Sequence, residues 1–598
     1  MCAALQAGKI TPMNSPAPDP AAPLRLSAAR QAAAAAAAQS ILGTFDAHQA
    51  QFRLVTRRAE GRYLQRDWRG GQQDAVERLT LYRQFVGWSV QELRRLLGED
   101  ALDPTLWRAA GQVYVRAAGL RLDAELALTF FNSVVRELLH AVGPAAGVYF
   151  DDAAFQALPP VVALEGLKVY PAGRALESIL LDLLGDLPFA AHYAGRAADA
   201  RLLAAALTDE LARQPGTVRL EAIELVPAPF YRNKGAYLVG RARTSAGLIP
   251  LLFPLVHDEQ GLRVDAFLAT QDEASIVFSF TRSYFHVDLE CPRALVDFLR
   301  SIMPRKPIEE LYTALGYHKH GKTELVRALI RHLEEDEARL LPAEGDKGLV
   351  MVVFALPSLN VVFKLIRDRF GPPKQTTRRQ VMDKYHLVFV RDRVGRLADA
   401  QEFAGLEFDR RRFAPAVLAE LQAECAGSVT VDGDRVTISH LYTERKVTPL
   451  NLYLRQVDEA RAIEAALDFG QAIRDLAAAN IFTGDMLLKN FGVTRNGRVI
   501  FYDYDELCLL TECRFRSIPA TRHDEDEYSA EPWFSVGEHD IFPEEFRAFF
   551  ALPGRLGDAF IAAHGELLTV EFWLRMQALA AAGEVIDIFP YKPARRLR

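Results

Sequence analysis

The stretch 480–506, NIFTGDMLLKNFGVTRNGRVIFYDYDE, constrains this chain more than any other. Asp485 is followed five positions later by Asn490. A turn at Thr494-Arg495-Asn496-Gly497 comes next, then a β run over 498–502 that ends in Asp503-Tyr504-Asp505. The turn residues and the β-branched run predict a hairpin with carboxylates at its exit. Carboxylates and a carboxamide oxygen so placed are hard donors, suited to an ion such as Mg²⁺ that keeps part of its coordination sphere open. The plain alternative is a polar hairpin whose Asp and Asn only make turns. The rest of the second half weighs against it.

At 598 residues the chain is too long for one core, so two or more domains are expected. Half of it is hydrophobic and a quarter charged, an ordinary globular balance. A net charge of −6 offers no basic footprint for nucleic acid, and no apolar run of about 18 residues predicts a membrane span. Residues 1–26, rich in Ala and Pro and without a secretory pattern, read as a disordered tail; the Ala run from Ala28 opens a helix. Five scattered cysteines without a C-x-x-C pair fit a reducing cytoplasm, with no disulfide framework or zinc site.

Residues 27–213 carry helical periodicity, and Trp68, Trp88, Trp107, Phe130 and Phe131 read as packing residues. Over 218–289 five β-branched and aromatic runs, the last beginning SIVFSF, alternate with Gly-containing turns and predict an antiparallel meander. Helices return over 293–341. Inside them Gly316–Thr323 matches G-x-x-x-x-G-K-[ST], yet the preceding PIEELYTAL reads as helix where a phosphate-binding loop needs a buried strand. The expectation there is a helix–turn–helix with a basic, solvated turn.

From 342 the texture changes again. A glycine-containing loop precedes two β runs, 349–355 and 360–366, the second carrying Lys364. The segment 400–408, with helix or strand potential, contains Glu402 and Glu407. A strand pair turns at Asp432-Gly433-Asp434, and an amphipathic helix over 461–479 leads to the opening stretch. Glycine loop, lysine strand, a hinge at 442–447, helix, D-x-x-x-x-N and hairpin aspartate together resemble a protein kinase. That resemblance implies that Lys364 grips the nucleotide phosphates, Asp485 accepts the substrate hydroxyl proton, and Asn490 and Asp503 hold Mg²⁺. The fold class expected is α+β: a mostly helical N-terminal regulatory domain with a β meander (27–341), followed by a bilobal protein-kinase-like domain (342–598).

FKLIRD, DRVGRLADAQEF, HLYTERKVTPLN, the stretch above and SAEPWFSV together resemble the isocitrate dehydrogenase kinase/phosphatase family. The likeness covers nearly all the chain after the tail. It implies a cytoplasmic bifunctional protein-serine kinase/phosphatase with intrinsic ATPase, acting on isocitrate dehydrogenase between the citric acid cycle and the glyoxylate bypass. It further implies ATP and Mg²⁺ as cofactors, AMP and ADP as allosteric effectors, and no nucleic-acid or membrane partner; a homodimer is the assembly considered. The nucleotide loop carried over is Ala343, Glu344, Gly345, Asp346, Lys347, Gly348 and Leu349, and Asp399 matches an active-site acid associated with the phosphatase. Asp505 projects from the same face as Asp503 if the strand stays extended, and is expected to serve the metal or a water nucleophile.

The chain departs from ordinary kinases in having Phe482-Thr483-Gly484 before Asp485, Asp503-Tyr504-Asp505 at the metal hairpin, and no Ala-Pro-Glu beyond it. Control by a metabolite therefore fits better than activation-loop phosphorylation. Glu402 is the expected ion-pair partner of Lys364, and the acidic, aromatic segment 521–546 suits docking on a folded protein. The other readings are a kinase-fold enzyme acting on a small molecule and a non-catalytic scaffold.

Overall fold

A computed structural model of the chain describes residues 26–140, 148–160, 163–279, 284–335, 338–345, 347–372, 374, 376–519, 534–537 and 539–598. The expected tail falls almost wholly outside them. The chain divides into two compact units, 1–49 with 82–159, and 50–81 with 160–598.

The first unit is helical. Asp103 caps helix Pro104–Ala118 by accepting from the Thr105 amide, with Pro104 at the first helical position. Helix Ala124–Leu138 is buried on nearly every side, and its buried residues include the polar Glu125, Thr129 and Asn132. Trp107, Phe130 and Phe131 are fully buried as expected, but Trp88 is 55% exposed. The buried stripe of its helix runs through Leu81, Phe85 and Ser89, and Trp88 falls beside that line.

In the second unit the meander is real. Its path runs through strands Leu220–Leu225, Gly235–Thr244, Gly247–Asp258 and Gly261–Val264, with Phe230–Arg232 paired at its side. Two expectations fail here. Lys168–Pro171, in the region read as helical, adds an edge strand against Leu220–Leu225. The run SIVFSF begins inside helix Gln271–Val277, because Thr270 and Glu273 form a capping box that outweighs the local β propensity.

The phosphate-loop look-alike joins helix Ile308–Ala314 to helix His318–Glu335, with Gly316 at φ +93°. A helix precedes it, as expected, but the turn is not solvated. His320 and Gly321 are buried, and a Cβ on Gly321 would lie 2.4 Å from Thr313 Oγ1. Residues 593–598 run along the meander. The Leu597 amide donates to the Asp265 carbonyl (2.8 Å), and Arg596 pairs with the Asp265 carboxylate at 2.8 Å. Arg595 pairs with Glu273 and Arg598 with the fully buried Asp199.

The kinase-like half has a small lobe and a large lobe. The small lobe is a five-stranded antiparallel sheet in the order Gln401–Phe403, Leu441–Arg445, Val361–Ile366, Met351–Leu356, Leu341–Pro342. A three-stranded sheet and helix Pro415–Glu424 complete its core of Phe354, Phe363, Phe408, Phe413 and Leu421. Helix Arg378–Arg391 stacks Tyr385 on Tyr442 with ring centroids 3.9 Å apart. In the large lobe, helix Glu459–Ala478 packs Phe469 against Phe491, Phe550 and Phe560, and so supports hairpin strands Phe491–Val493 and Val499–Phe501.

Candidate active site

Lys364 lies on the central strand of the small sheet with its ammonium buried. Nζ pairs with Glu444 Oε2 at 2.8 Å and donates to the Tyr502 carbonyl at 2.7 Å, one residue before Asp503. The expected partner, Glu402, instead faces His440 Nε2 at 2.9 Å. Strand register explains the difference. Glu402, Tyr442 and Lys364 form one row across three strands, so the Tyr442 ring stands between carboxylate and ammonium. Glu444, two residues beyond Tyr442, is the diagonal neighbour of Lys364 on the same face, within reach of two long side chains. Burial pushes the Glu444 carboxyl up while Lys364 pulls it down.

The catalytic-loop candidates are held by short-range bonds. Asp485 Oδ1 accepts from the Leu487 amide (3.2 Å), and Asn490 Nδ2 donates to the Asp485 carbonyl (3.2 Å). The Tyr502 amide donates to the Asn490 carbonyl (3.1 Å), so loop and hairpin form one piece. Gly484, at φ +73°, is required twice over: its backbone is left-handed, and a Cβ there would lie 2.5 Å from Glu506 Cβ.

Asp503 lies close enough to Asp485 and to Asp505 for their charges to act on one another. Burial pushes the Asp503 carboxyl up, Lys364 and Lys374 pull it back, and the Asp485 charge adds to the push. Burial and the neighbouring Asp503 raise Asp505 to about 7. Lys374, which drew no notice in the sequence, bonds Glu506 at 2.5 Å and partly offsets this negative charge. Carboxylates this close disfavour full ionisation unless a cation joins them. Among the described residues no three His, Cys, Asp or Glu side chains form a ready metal cage. Mg²⁺ fits nonetheless, because it is commonly held by one or two carboxylates plus substrate phosphates, and Asp503 and Asn490 supply the hard oxygens.

The glycine loop is the turn of the hairpin between Leu341–Pro342 and Met351–Leu356. The Ala343 amide donates to the Val353 carbonyl (3.4 Å), and Glu344 pairs with Lys446 at 3.1 Å. Gly345, at φ +106°, faces Pro449, which brings the loop over the hinge. Lys347 is anchored to Glu420 at 2.9 Å, and Leu349 is exposed. Gly348 precedes the strand, and Asp346 lies outside the described residues.

Asp399 lies just before strand Gln401–Phe403, close enough for its charge to act on Glu444. Its carboxylate accepts from Gln401 Nε2 (2.9 and 3.1 Å) and lines a cleft with Glu309, Lys322, Thr443 and Glu444. Its segment is tied to the metal hairpin. The Ala398 amide donates to the Phe501 carbonyl (2.9 Å), and the Tyr504 hydroxyl donates to the Ala398 carbonyl (2.7 Å). Next to Glu444, Arg445 pairs with Glu309 and, at 2.8 Å, with Glu310, so the hinge strand is bolted to helix Ile308–Ala314. Of the expected docking segment, 521–533 and 538 lie outside the described residues.

Comparison with known proteins adds to this geometry. Residues 38–337 match the family described as "Isocitrate dehydrogenase kinase/phosphatase (AceK), regulatory domain", and residues 338–593 match "Isocitrate dehydrogenase kinase/phosphatase (AceK) kinase domain". The isocitrate dehydrogenase kinase/phosphatase of Anaeromyxobacter sp. (strain Fw109-5) is 50% identical over 567 residues, 94% of this chain and 98% of that protein. The one from Anaeromyxobacter dehalogenans (strain 2CP-C) is 50% identical over 580 residues, 95% of this chain and 99% of that protein. The chain belongs to the isocitrate dehydrogenase kinase/phosphatase family. Membership agrees with the helical-then-bilobal fold, and a kinase domain implies the use of ATP, typically with Mg²⁺. Among the described residues no helix is long and apolar enough to cross a membrane. Within this family-member chain, Glu444, Lys374 and Arg445 are the site residues sequence reasoning missed. Only the alternation along Leu441–Arg445, which puts Glu444 on the face of Tyr442, signalled the first.

Proposed function

We propose that this protein transfers the γ-phosphoryl group of ATP to a serine of isocitrate dehydrogenase and also removes it. The convergence of the Lys364–Glu444 pair with Asp485, Asn490 and Asp503 carries the reading. Lys364 holds the α/β-phosphates beneath the 343–349 loop, and Asp485 takes the serine hydroxyl proton as the oxygen attacks. Asn490 and Asp503 would hold Mg²⁺, which would supply charge neutralisation for the phosphates. In reverse, bound ADP accepts the phosphoryl group, and hydrolysis of the resulting ATP in place makes the net reaction a phosphatase and an ATPase. Asp505, inside the cluster, is the better placed to orient that water. Asp399 acts at a remove, through Glu444 on Lys364.

The same reading includes AMP and ADP as effectors of a cytoplasmic enzyme, a homodimer as the assembly to be tested, and the Arg445 ties as a route from the N-terminal half to the hinge. A kinase acting on a small molecule is the second reading, supported by the lack of an Ala-Pro-Glu segment.

Purified protein, isocitrate dehydrogenase, Mg²⁺ and labelled ATP test it. Label entering the dehydrogenase as its activity falls, then leaving when AMP or ADP is added, is the expected result. Steady ATP hydrolysis without label transfer would move the search to another substrate, and neither activity would leave a scaffold.

A further inference from the structure

Two cysteines five positions apart meet in space. Cys508 and Cys513 bring their sulfurs to 3.6 Å. Cys508 begins the short strand Cys508–Leu509 and pairs with Phe482, three residues before Asp485. Cys513 closes the single helical turn Leu510–Glu512 that follows. Both are half-buried, whereas Cys425 is fully buried. The thiol–thiol contact pulls Cys508 below its ordinary value and pushes Cys513 up, so Cys508 is the readier thiolate.

The segment carrying them is anchored to the catalytic loop. The Leu510 amide donates to the Asn480 carbonyl (3.1 Å), and the Thr511 amide to Asn480 Oδ1 (3.1 Å). Gln577 Nε2 donates to the carbonyls of Leu510 and Cys513, both at 2.7 Å.

We propose that Cys508 and Cys513 form a redox-sensitive dithiol that closes to an intramolecular disulfide and slows phosphoryl transfer. The oxidant class is a low-molecular-weight disulfide. The Cys508 thiolate attacks one of its sulfurs and expels a thiolate. Cys513 then attacks the mixed disulfide at Cys508 and expels the second. Two protein thiols lose two electrons, the small disulfide gains them, and the two protons end on the two departing thiols.

Closing the contact to the roughly 2.05 Å of an S–S bond draws the sulfurs together by about 1.5 Å. That movement falls where there is no slack, since Gly484 leaves no room for even a methyl group against Glu506. A displacement of about 1 Å in a catalytic loop costs up to about a hundredfold in rate. The rate effect rests on the proposed function; the disulfide does not.

The test uses the reduced full chain, titrated with oxidised glutathione, alkylated and digested with trypsin. Arg498 and Arg514 flank a peptide, 499–514, that holds both cysteines. The expected peptide is lighter by two hydrogens and escapes alkylation. ATP hydrolysis and label transfer fall by about tenfold or more and recover with dithiothreitol. Both variants keep the reduced-state rate; Cys508→Ser becomes insensitive to the oxidant, whereas Cys513→Ser stops at the glutathione adduct on Cys508 and forms no intramolecular bond. In the unsubstituted chain, two alkylatable thiols after oxidation, a persistent glutathione adduct on Cys508, or a bond to Cys291 or to a second chain would overturn the dithiol. A mapped disulfide with unchanged rates would overturn the control of transfer. If the reduced protein transfers no phosphoryl group, the proposed function and the rate effect fall together, while the mapped bond still decides the dithiol.

Discussion

Lys364 and Glu444 sit on adjacent strands of one sheet, 2.8 Å apart. In protein kinases the corresponding carboxylate comes from a helix that can swing away, and its position gates activity. A pair built between neighbouring strands persists for as long as the sheet is folded, so control has to act on the hinge or the catalytic loop instead.

Glu444→Gln preserves shape and removes the charge. A charged hydrogen bond of this kind is worth about 1.5–3 kcal/mol, so kcat/KM for ATP should fall by roughly 10–100-fold, and the melting temperature should fall too because Lys364 is left buried without its countercharge. Steady-state kinetics beside a thermal melt check it. An unchanged kcat/KM would show that the Tyr502 carbonyl alone positions Lys364.

Asp485→Asn removes the proton acceptor from a site that the proposed function shares between both directions. Kinase, phosphatase and ATPase rates should fall together, each by about 10²–10⁴-fold. A phosphatase rate that survives while the kinase rate collapses would separate the two sites.

Arg396 is buried and grips helix Glu459–Ala478 from the Asp399 segment. It reaches Asp475 at 2.7 Å, Asp468 at 2.8 Å and the Val499 carbonyl at 2.9 Å. Arg396→Met leaves a buried carboxylate unpaired and should destabilise the large lobe by about 3–5 kcal/mol. Denaturant unfolding measures this, and a loss under about 1 kcal/mol would mean that water replaces the guanidinium.

His48 is buried among Tyr82, Phe85 and Phe130, and burial lowers its pKa from 6.5 to about 4. Between those values the unfolded chain binds the proton that the folded one refuses. Stability is therefore full above about pH 6.5 and declines as pH falls toward 4, by about 3 kcal/mol. Buried His320 and His286 act in the same direction, so His48→Phe should make that part of the stability–pH curve less steep without flattening it, followed by chemical denaturation at several pH values; an equally steep curve would show that His48 does not contribute.

Much of the candidate site was legible because its chemistry is local. Asp485, Asn490 and Asp503 fall within one loop and one hairpin, where spacing alone nearly determines proximity. Lys364 and Glu444 lie on strands whose pairing is non-local, and choosing Glu444 over Glu402 required knowing that Tyr442 stands in the row between. The Cys508–Cys513 approach depends on a single turn whose direction no periodicity announces. In the fold, the meander and the lobes were visible as alternation and turns. Strand Lys168–Pro171 was missed because four residues at a sheet edge carry too little pattern, and Trp88, though exposed, still packs its ring against Phe85 at 4.8 Å between centroids.

The strap formed by residues 593–598 bears on how the molecule assembles. Arg598 reaches Asp199 across 399 positions of chain, and Arg596 reaches Asp265 across 331. Until those arginines arrive, two buried carboxylates and a sheet edge of the meander lack their partners. Contacts of such sequence separation close late, after loop entropy has been overcome, and they slow folding. A chain that has not yet closed those contacts presents an unpaired sheet edge, the kind of surface on which other chains add.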